Sequence, residues 1–191
     1  APSGVDEFPP LSVVELERYL AELAGFGAMM IVHAEDGDAL AQAPTAGGRE
    51  YANFLASRPR GVENLAIAEL IEAARHTGAA VHLLHLSSSD AAPMVRSARR
   101  DGIAITAETC PHYLVFEAQS IAEGATQFKC CPPIREADNR ELLWAGLAEG
   151  VIDTVVSDHS PCTPELKRLD TGETYPAAIS VGSGCGFAEY G

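Results

Sequence analysis

Ile67–Glu108 reads IAELIEAARHTGAAVHLLHLSSSDAAPMVRSARRDGIAITAE, and its apolar periodicity switches three times. Ile67, Leu70, Ile71 and Ala74 recur at i, i+3, i+4 and i+7, the spacing of one helix face. The helix stops near Gly78, and Val81-His-Leu-Leu-His85 follows as an apolar run of strand length. Ser87, Ser88 and Ser89 supply N-cap candidates for a helix running to about Asp101. Ile103-Ala-Ile-Thr-Ala-Glu108 is the next predicted strand.

The alternation continues on both sides. Upstream, Ser12 and Glu15 have capping-box spacing, and Val13, Leu16, Leu20 and Leu23 form a helical apolar stripe. Met29-Met-Ile-Val32 then makes a strand ending at His33. Gly37, Pro44, Gly47, Gly48 and Pro59 mark a segment, to about Arg60, that is mostly loop with short helical pieces. Downstream of Glu108, an irregular stretch carries Pro111, Gly124, Pro132 and Pro133. A helix opens at Asp138 and Glu141, has Leu143, Trp144 and Leu147 on its apolar face, and ends at Gly150. Thr154-Val-Val-Ser157 is a fourth strand, ending at Asp158. The order α-β-α-β-α-β-α-β, with strands apolar enough for burial on both faces, calls for an α/β fold with a parallel sheet and covering helices. An open sheet and part of a (β/α)8 barrel both satisfy it.

The chain has 191 residues, 13 basic against 27 acidic, for a net charge of −14. A 47% apolar and 21% charged composition is that of a globular protein rather than a disordered one. The acidic surplus argues against nucleic acid or an anionic membrane as partner. No apolar stretch approaches the roughly 20 residues of a membrane span, and no secretory signal opens the sequence. Five cysteines, two of them adjacent at Cys130 and Cys131, argue against a disulfide framework and for a reducing, cytoplasmic setting. GxGxxG, GxxxxGK[ST] and GxSxG are all missing, which removes the usual signals of dinucleotide, P-loop and elbow-type serine enzymes.

Three of the four predicted strands end in a residue able to bind a metal: His33, His85 and Asp158. In both candidate folds, active sites gather at the C-terminal ends of parallel strands, so these residues converge on one mouth. Imidazole and carboxylate suit zinc or a similar divalent ion, which lowers the pKa of bound water to about 7. A nearby carboxylate can then accept the proton and pass it to a leaving group. The plainer alternatives are a hydrogen-bonded packing histidine and an aspartate that forms a turn or cap. His82 lies three residues before His85 and points to the other face, and His76 carries no assigned role. Cys110-Pro-His112 and His159-Ser-Pro-Cys162 lack the paired CxxC spacing of a structural zinc site, so buried free thiols are the simpler reading.

Taken together, five segments resemble the cyclic amidohydrolases: Val32-His-Ala-Glu-Asp-Gly37, Val81-His-Leu-Leu-His-Leu-Ser-Ser88, Glu108-Thr-Cys-Pro-His-Tyr113, Lys129-Cys-Cys-Pro-Pro-Ile-Arg135 and Ser157-Asp-His-Ser-Pro-Cys162. Within that family the wording is most similar to the allantoinase branch. The resemblance implies a partial (β/α)8 TIM barrel, about strands five to eight, over residues 1–172. Residues 173–191 form a Gly-rich tail without an assignment. It also implies two divalent metal ions, usually zinc, bridged by a carboxylated lysine. His33 and His85 take ligand positions, and Asp158 takes the place of an aspartate that binds metal and carries the proton. Cys131 stands where the family holds substrate, through the backbone. The implied reaction is hydrolysis of the cyclic amide of allantoin to allantoate, on a small cyclic ureide, in a homo-oligomer.

The sequence departs from the family at both ends. The His-x-His pair and the metal-bridging lysine are missing, and the two lysines present, Lys129 and Lys167, sit in other motifs. A complete barrel takes about 250 residues, and Ala1-Pro-Ser-Gly is a loop-like start without Met. These features lead us to expect the C-terminal half of a catalytic barrel, inactive alone. The alternatives are a hydantoinase or dihydropyrimidinase, a dihydroorotase, and a non-catalytic scaffold relative.

Overall fold

The computed structural model describes residues 10–159 and 163–169. The start at Ala1, Cys162 and the tail 173–191 lie outside the described residues. The elements in order are α1 (Val13–Gly25), β1 (Met29–Val32), α2 (Gly37–Gln42), α3 (Tyr51–Ala56), α4 (Arg60–Thr77) and β2 (Ala80–Leu83). A 3-10 turn at Ser89–Ala91 leads into α5 (Ala92–Arg100), followed by β3 (Ile105–Thr109) and α6 (Pro111–Val115). After two further 3-10 turns come α7 (Ala137–Ala148), β4 (Thr154–Val155) and α8 (Pro164–Lys167).

Local chemistry explains the main boundaries. At the start of α1 the Glu15 carboxylate accepts from the Ser12 N–H (2.9 Å) while the Glu15 N–H donates to Ser12 Oγ (3.3 Å), so the expected capping box is present. The α4 stripe of Ile67, Leu70, Ile71 and Ala74 is buried throughout. α4 ends on Gly78 at φ +72°, a left-handed conformation that costs a residue with a Cβ about 1–2 kcal/mol.

The strands form one parallel sheet in the order β1-β2-β3-β4. Val81, Leu83, Ile105 and Ala107 face the helices and are buried. Arg99 of α5 ties this layer to the sheet, donating to the carbonyls of Ile105 (2.9 Å) and Gly150 (2.8 Å) and to the Asp153 carboxylate (2.5 Å). Asp153 in turn accepts from the Ala107 N–H (2.8 Å), which holds β4 beside β3.

Two expectations need correction. Burial on both faces of the sheet is not observed: Met29 and Ile31 are exposed on β1, because the helices cover one side only. On the open side His82 bridges Thr106 Oγ1 (2.7 Å) and Glu108 Oε2 (2.9 Å), a polar row rather than a core. Trp144 is half exposed instead of facing the core with Leu143. Its indole N–H donates to the Leu114 carbonyl (2.9 Å) at the end of α6, which draws the ring across the surface.

Candidate metal centre

β1 and β2 run in register with Val32 opposite Leu83, so the residues just beyond them arrive side by side. His33 follows β1 directly, and His85 lies two residues past β2. His85 is held in place by its neighbours: the Leu84 N–H donates back to Val32 on β1 (3.0 Å) and the Leu86 N–H donates to Glu108 on β3 (2.7 Å). Between those anchors His85 adopts φ +36°, a conformation that only surrounding structure sustains. The result brings His33 Nδ1 within 2.9 Å of His85 Nε2, with the rings edge to face.

Glu35, buried and two residues beyond His33, places Oε2 at 3.0 Å from His33 Nε2. Arg58, between α3 and α4, donates to the same oxygen at 2.5 Å. Burial pushes the Glu35 carboxyl up, but the His33 hydrogen bond and the Arg58 charge outweigh it and hold the group below its usual range. An ionised Glu35 fixes the His33 proton on Nε2 and leaves the Nδ1 lone pair facing His85. Burial first, and the adjacent His33 second, pull the His85 pKa down to about 3, so this ring is neutral at ordinary pH. His85 Nε2 then carries the hydrogen shared with His33, and its buried Nδ1 has no partner.

This donor set fits a divalent transition metal. The His85 ring is neutral, the facing nitrogens come from strand ends, and an acidic residue behind His33 sets its tautomer. Two nitrogens on one tetrahedral zinc sit about 3.3 Å apart, within half an ångström of the observed spacing.

Asp158, three residues past β4, also has positive φ (+46°), and its buried Oδ2 has no hydrogen-bond partner. It lies close to Cys110, whose thiol is pushed strongly up, mainly by burial and then by the Asp158 charge. Among the described residues no group of three or more His, Cys, Asp or Glu side chains converges to hold one ion. The structure therefore joins His33 with His85 and leaves Asp158 apart. Cys131 is buried near Arg58 and Lys129. The segment after it is rigid: Tyr113, Ser87 and Tyr51 hydroxyls donate to the carbonyls of Pro132 (2.7 Å), Pro133 (2.6 Å) and Ile134 (3.0 Å). Cys110 is a buried free thiol, as the plainer reading had it, and Cys130 and Cys131 are buried as well.

Sequence reasoning gave no role to Glu35, Arg58 or His112. Glu35 had a legible signal, since a residue two beyond a strand-end histidine shares its side of the chain. Arg58 had none. His112, in the Cys110-Pro-His112 segment, is buried near His85 with an unpartnered Nε2.

A parallel sheet with one helical layer and a site at its strand ends fits a segment of a (β/α)8 barrel enzyme. No protein-family model matches the chain. It is 57% identical over 170 residues to an allantoinase of Streptomyces avermitilis, covering 89% of this chain and 38% of that protein. To the allantoinase of Saccharomyces cerevisiae it is 48% identical over 190 residues, covering 95% and 41%. Among solved structures, a D-hydantoinase from a Bacillus species superposes with a TM-score of 0.82 at 27% identity, covering 93% of this chain and 40% of that one. By sequence the chain is similar to allantoinases over about nine-tenths of its length, and by fold to a hydantoinase, both of them cyclic amidohydrolases. It spans about two-fifths of the length of the curated relatives it matches.

Proposed function

We propose that the protein hydrolyses the cyclic amide of allantoin to give allantoate, and that residues 1–172 supply the half of its barrel carrying His33, His85 and Asp158. One observation carries this reading: the chain is 57% identical to an allantoinase across a segment that contains the His33–His85 contact. When bound, a divalent ion such as zinc would polarise the ring carbonyl and make hydroxide available near neutral pH.

The chain's own residues prepare that chemistry. His33 and His85 would hold the ion through Nδ1 and Nε2, the two atoms that face each other. Glu35 keeps the His33 proton on the far nitrogen, and Arg58 keeps Glu35 ionised. The unpartnered Oδ2 of Asp158 would take the proton released by attacking water and deliver it to the departing ring nitrogen. The backbone at Cys131, stiffened by the three hydroxyl contacts that follow it, would position the ureide. Three of the ligands implied by the resemblance, the His-x-His pair and the lysine, are missing from this sequence, so these 191 residues by themselves should turn over little substrate.

The hydantoinase alternative draws support from the solved structures, which carry that name. A homo-oligomer follows from family analogy. Three buried thiols support a reducing, cytoplasmic setting. None of the described helices is long and apolar enough to cross a membrane. The product of the complete gene, reconstituted with zinc, should be assayed on allantoin, hydantoin and dihydroorotate. Preferential turnover of allantoin, abolished by His33→Ala or His85→Ala, is expected. Preference for hydantoin would select the alternative, and inertness of metal-replete protein would leave only the scaffold reading.

A further inference from the structure

The turn that follows His85 is held by side chains from distant elements. The N–H groups of Ser87 and Ser88 donate to the two oxygens of Glu63 on α4 (2.8 and 2.9 Å). Asn139 of α7 accepts from the Ser89 N–H (2.9 Å) and donates to the Ser87 carbonyl (2.8 Å). Arg135 Nη2 donates to Glu63 Oε2 at 3.0 Å, and Arg135 Nη1 donates to the Arg58 carbonyl at 3.2 Å. The Glu63 and Arg135 side chains are almost wholly buried, at 3% and 1% exposure. Arg58 is also the residue whose guanidinium holds Glu35, and Glu35 holds His33.

A continuous path thus leads from His85 through its turn to Glu63, Arg135, Arg58, Glu35 and His33, where it meets His85 again. Burying an ion pair of this kind is costly, and apolar side chains of similar volume often stabilise a protein as well or better. What apolar side chains cannot do is grip two backbone N–H groups and a carbonyl at fixed distances.

We propose that the buried Glu63–Arg135 pair is the positioning element of the two-histidine site. Its carboxylate holds the turn behind His85, and its guanidinium holds the backbone of the arginine that fixes Glu35 and His33. The functional meaning rests on the metal-binding reading above, but the positioning is a property of the metal-free protein and is tested there.

Glu63→Gln preserves volume and removes the charge, and it sets an NH2 group against one of the two serine N–H groups. In purified protein with 15N-labelled histidine, Glu63→Gln is expected to move or broaden the ring signals of both His33 and His85. Cobalt(II) affinity should fall tenfold or more, as outer partners of metal ligands typically cause. Glu72→Gln, on the exposed flank of α4, should change neither. Wild-type ring signals in folded Glu63→Gln overturn the proposal, even where its melting temperature has dropped. Should Glu63→Gln not fold, Arg135→Lys decides: a single ammonium can stay beside Glu63 but cannot also reach the Arg58 carbonyl. His33 signals are then expected to move, and an unmoved His33 overturns the proposal. A wild-type protein that binds no cobalt would defeat the metal reading and leave the ring signals to judge the positioning.

Discussion

His33 Nδ1 and His85 Nε2 face each other at 2.9 Å across adjacent parallel strands, and the pair holds a single hydrogen between them. On the other side of His33 the Glu35 carboxylate accepts a hydrogen bond from Nε2–H, and burial beside His33 keeps His85 neutral. A cation would take the place of that hydrogen once the His85 proton moves to its buried, unpartnered Nδ1, with a buried carboxylate one ring away.

That arrangement has a consequence for acid stability in metal-free protein. His85 has a pKa of about 3 in the folded state against 6.5 for an ordinary histidine. Between those values the unfolded chain binds a proton that the folded one does not, so stability falls as pH falls from about 6.5 towards 3. The slope is about 1.4 kcal/mol per pH unit. Urea midpoints measured at several pH values should show this component in the wild type and lack it in His85→Gln. Parallel profiles for the two proteins would refute it.

Glu35 acts through His33. Replacing it by Gln removes the charge that fixes the His33 tautomer and leaves Arg58 without its short contact. Zinc affinity, read by competition with a chromophoric chelator, should drop about 10- to 100-fold. The loss of stability should stay near 1–3 kcal/mol, because the Arg58 side chain is 24% exposed and water can replace its partner. An unchanged zinc affinity would show that Glu35 is only a packing residue.

Helix α4 carries both a core stripe and Glu63, which makes its stability separable from the site. Leu70→Ala empties a fully buried position and should cost about 2–5 kcal/mol in urea denaturation. Gly78→Ala forces a Cβ into φ +72° where nothing crowds it, so only the backbone term of about 1–2 kcal/mol is expected. A larger loss for Gly78→Ala than for Leu70→Ala would contradict this account of the helix.

The strands and helices were legible because each has its own period and punctuation. The α4 stripe, the Ser12–Glu15 box and the Gly78 stop are local, and the structure reproduces them. His33 and His85 were legible from topology, since parallel strands deliver their ends to one place. Arg58, Arg135 and Asn139 were not, because they act on residues 23 to 77 positions away, through contacts that no local pattern encodes. Trp144 misled for the related reason that its helical spacing says nothing about a carbonyl on a neighbouring helix.

Asp158 gives the sharpest test of the proposed chemistry. Its backbone sits at φ +46°, which Asn tolerates about as well as Asp, so Asp158→Asn should leave the fold intact. The substitution removes the proton-accepting capacity of a buried oxygen that has no partner in the structure. In the zinc-reconstituted product of the complete gene, kcat on allantoin should fall about 10²- to 10⁴-fold. Cobalt should still bind at His33 and His85, with ring signals that shift as in the wild type. Near-normal kcat in folded, metal-replete Asp158→Asn would remove Asp158 from the proton path and return it to the turn-forming role that its position also fits.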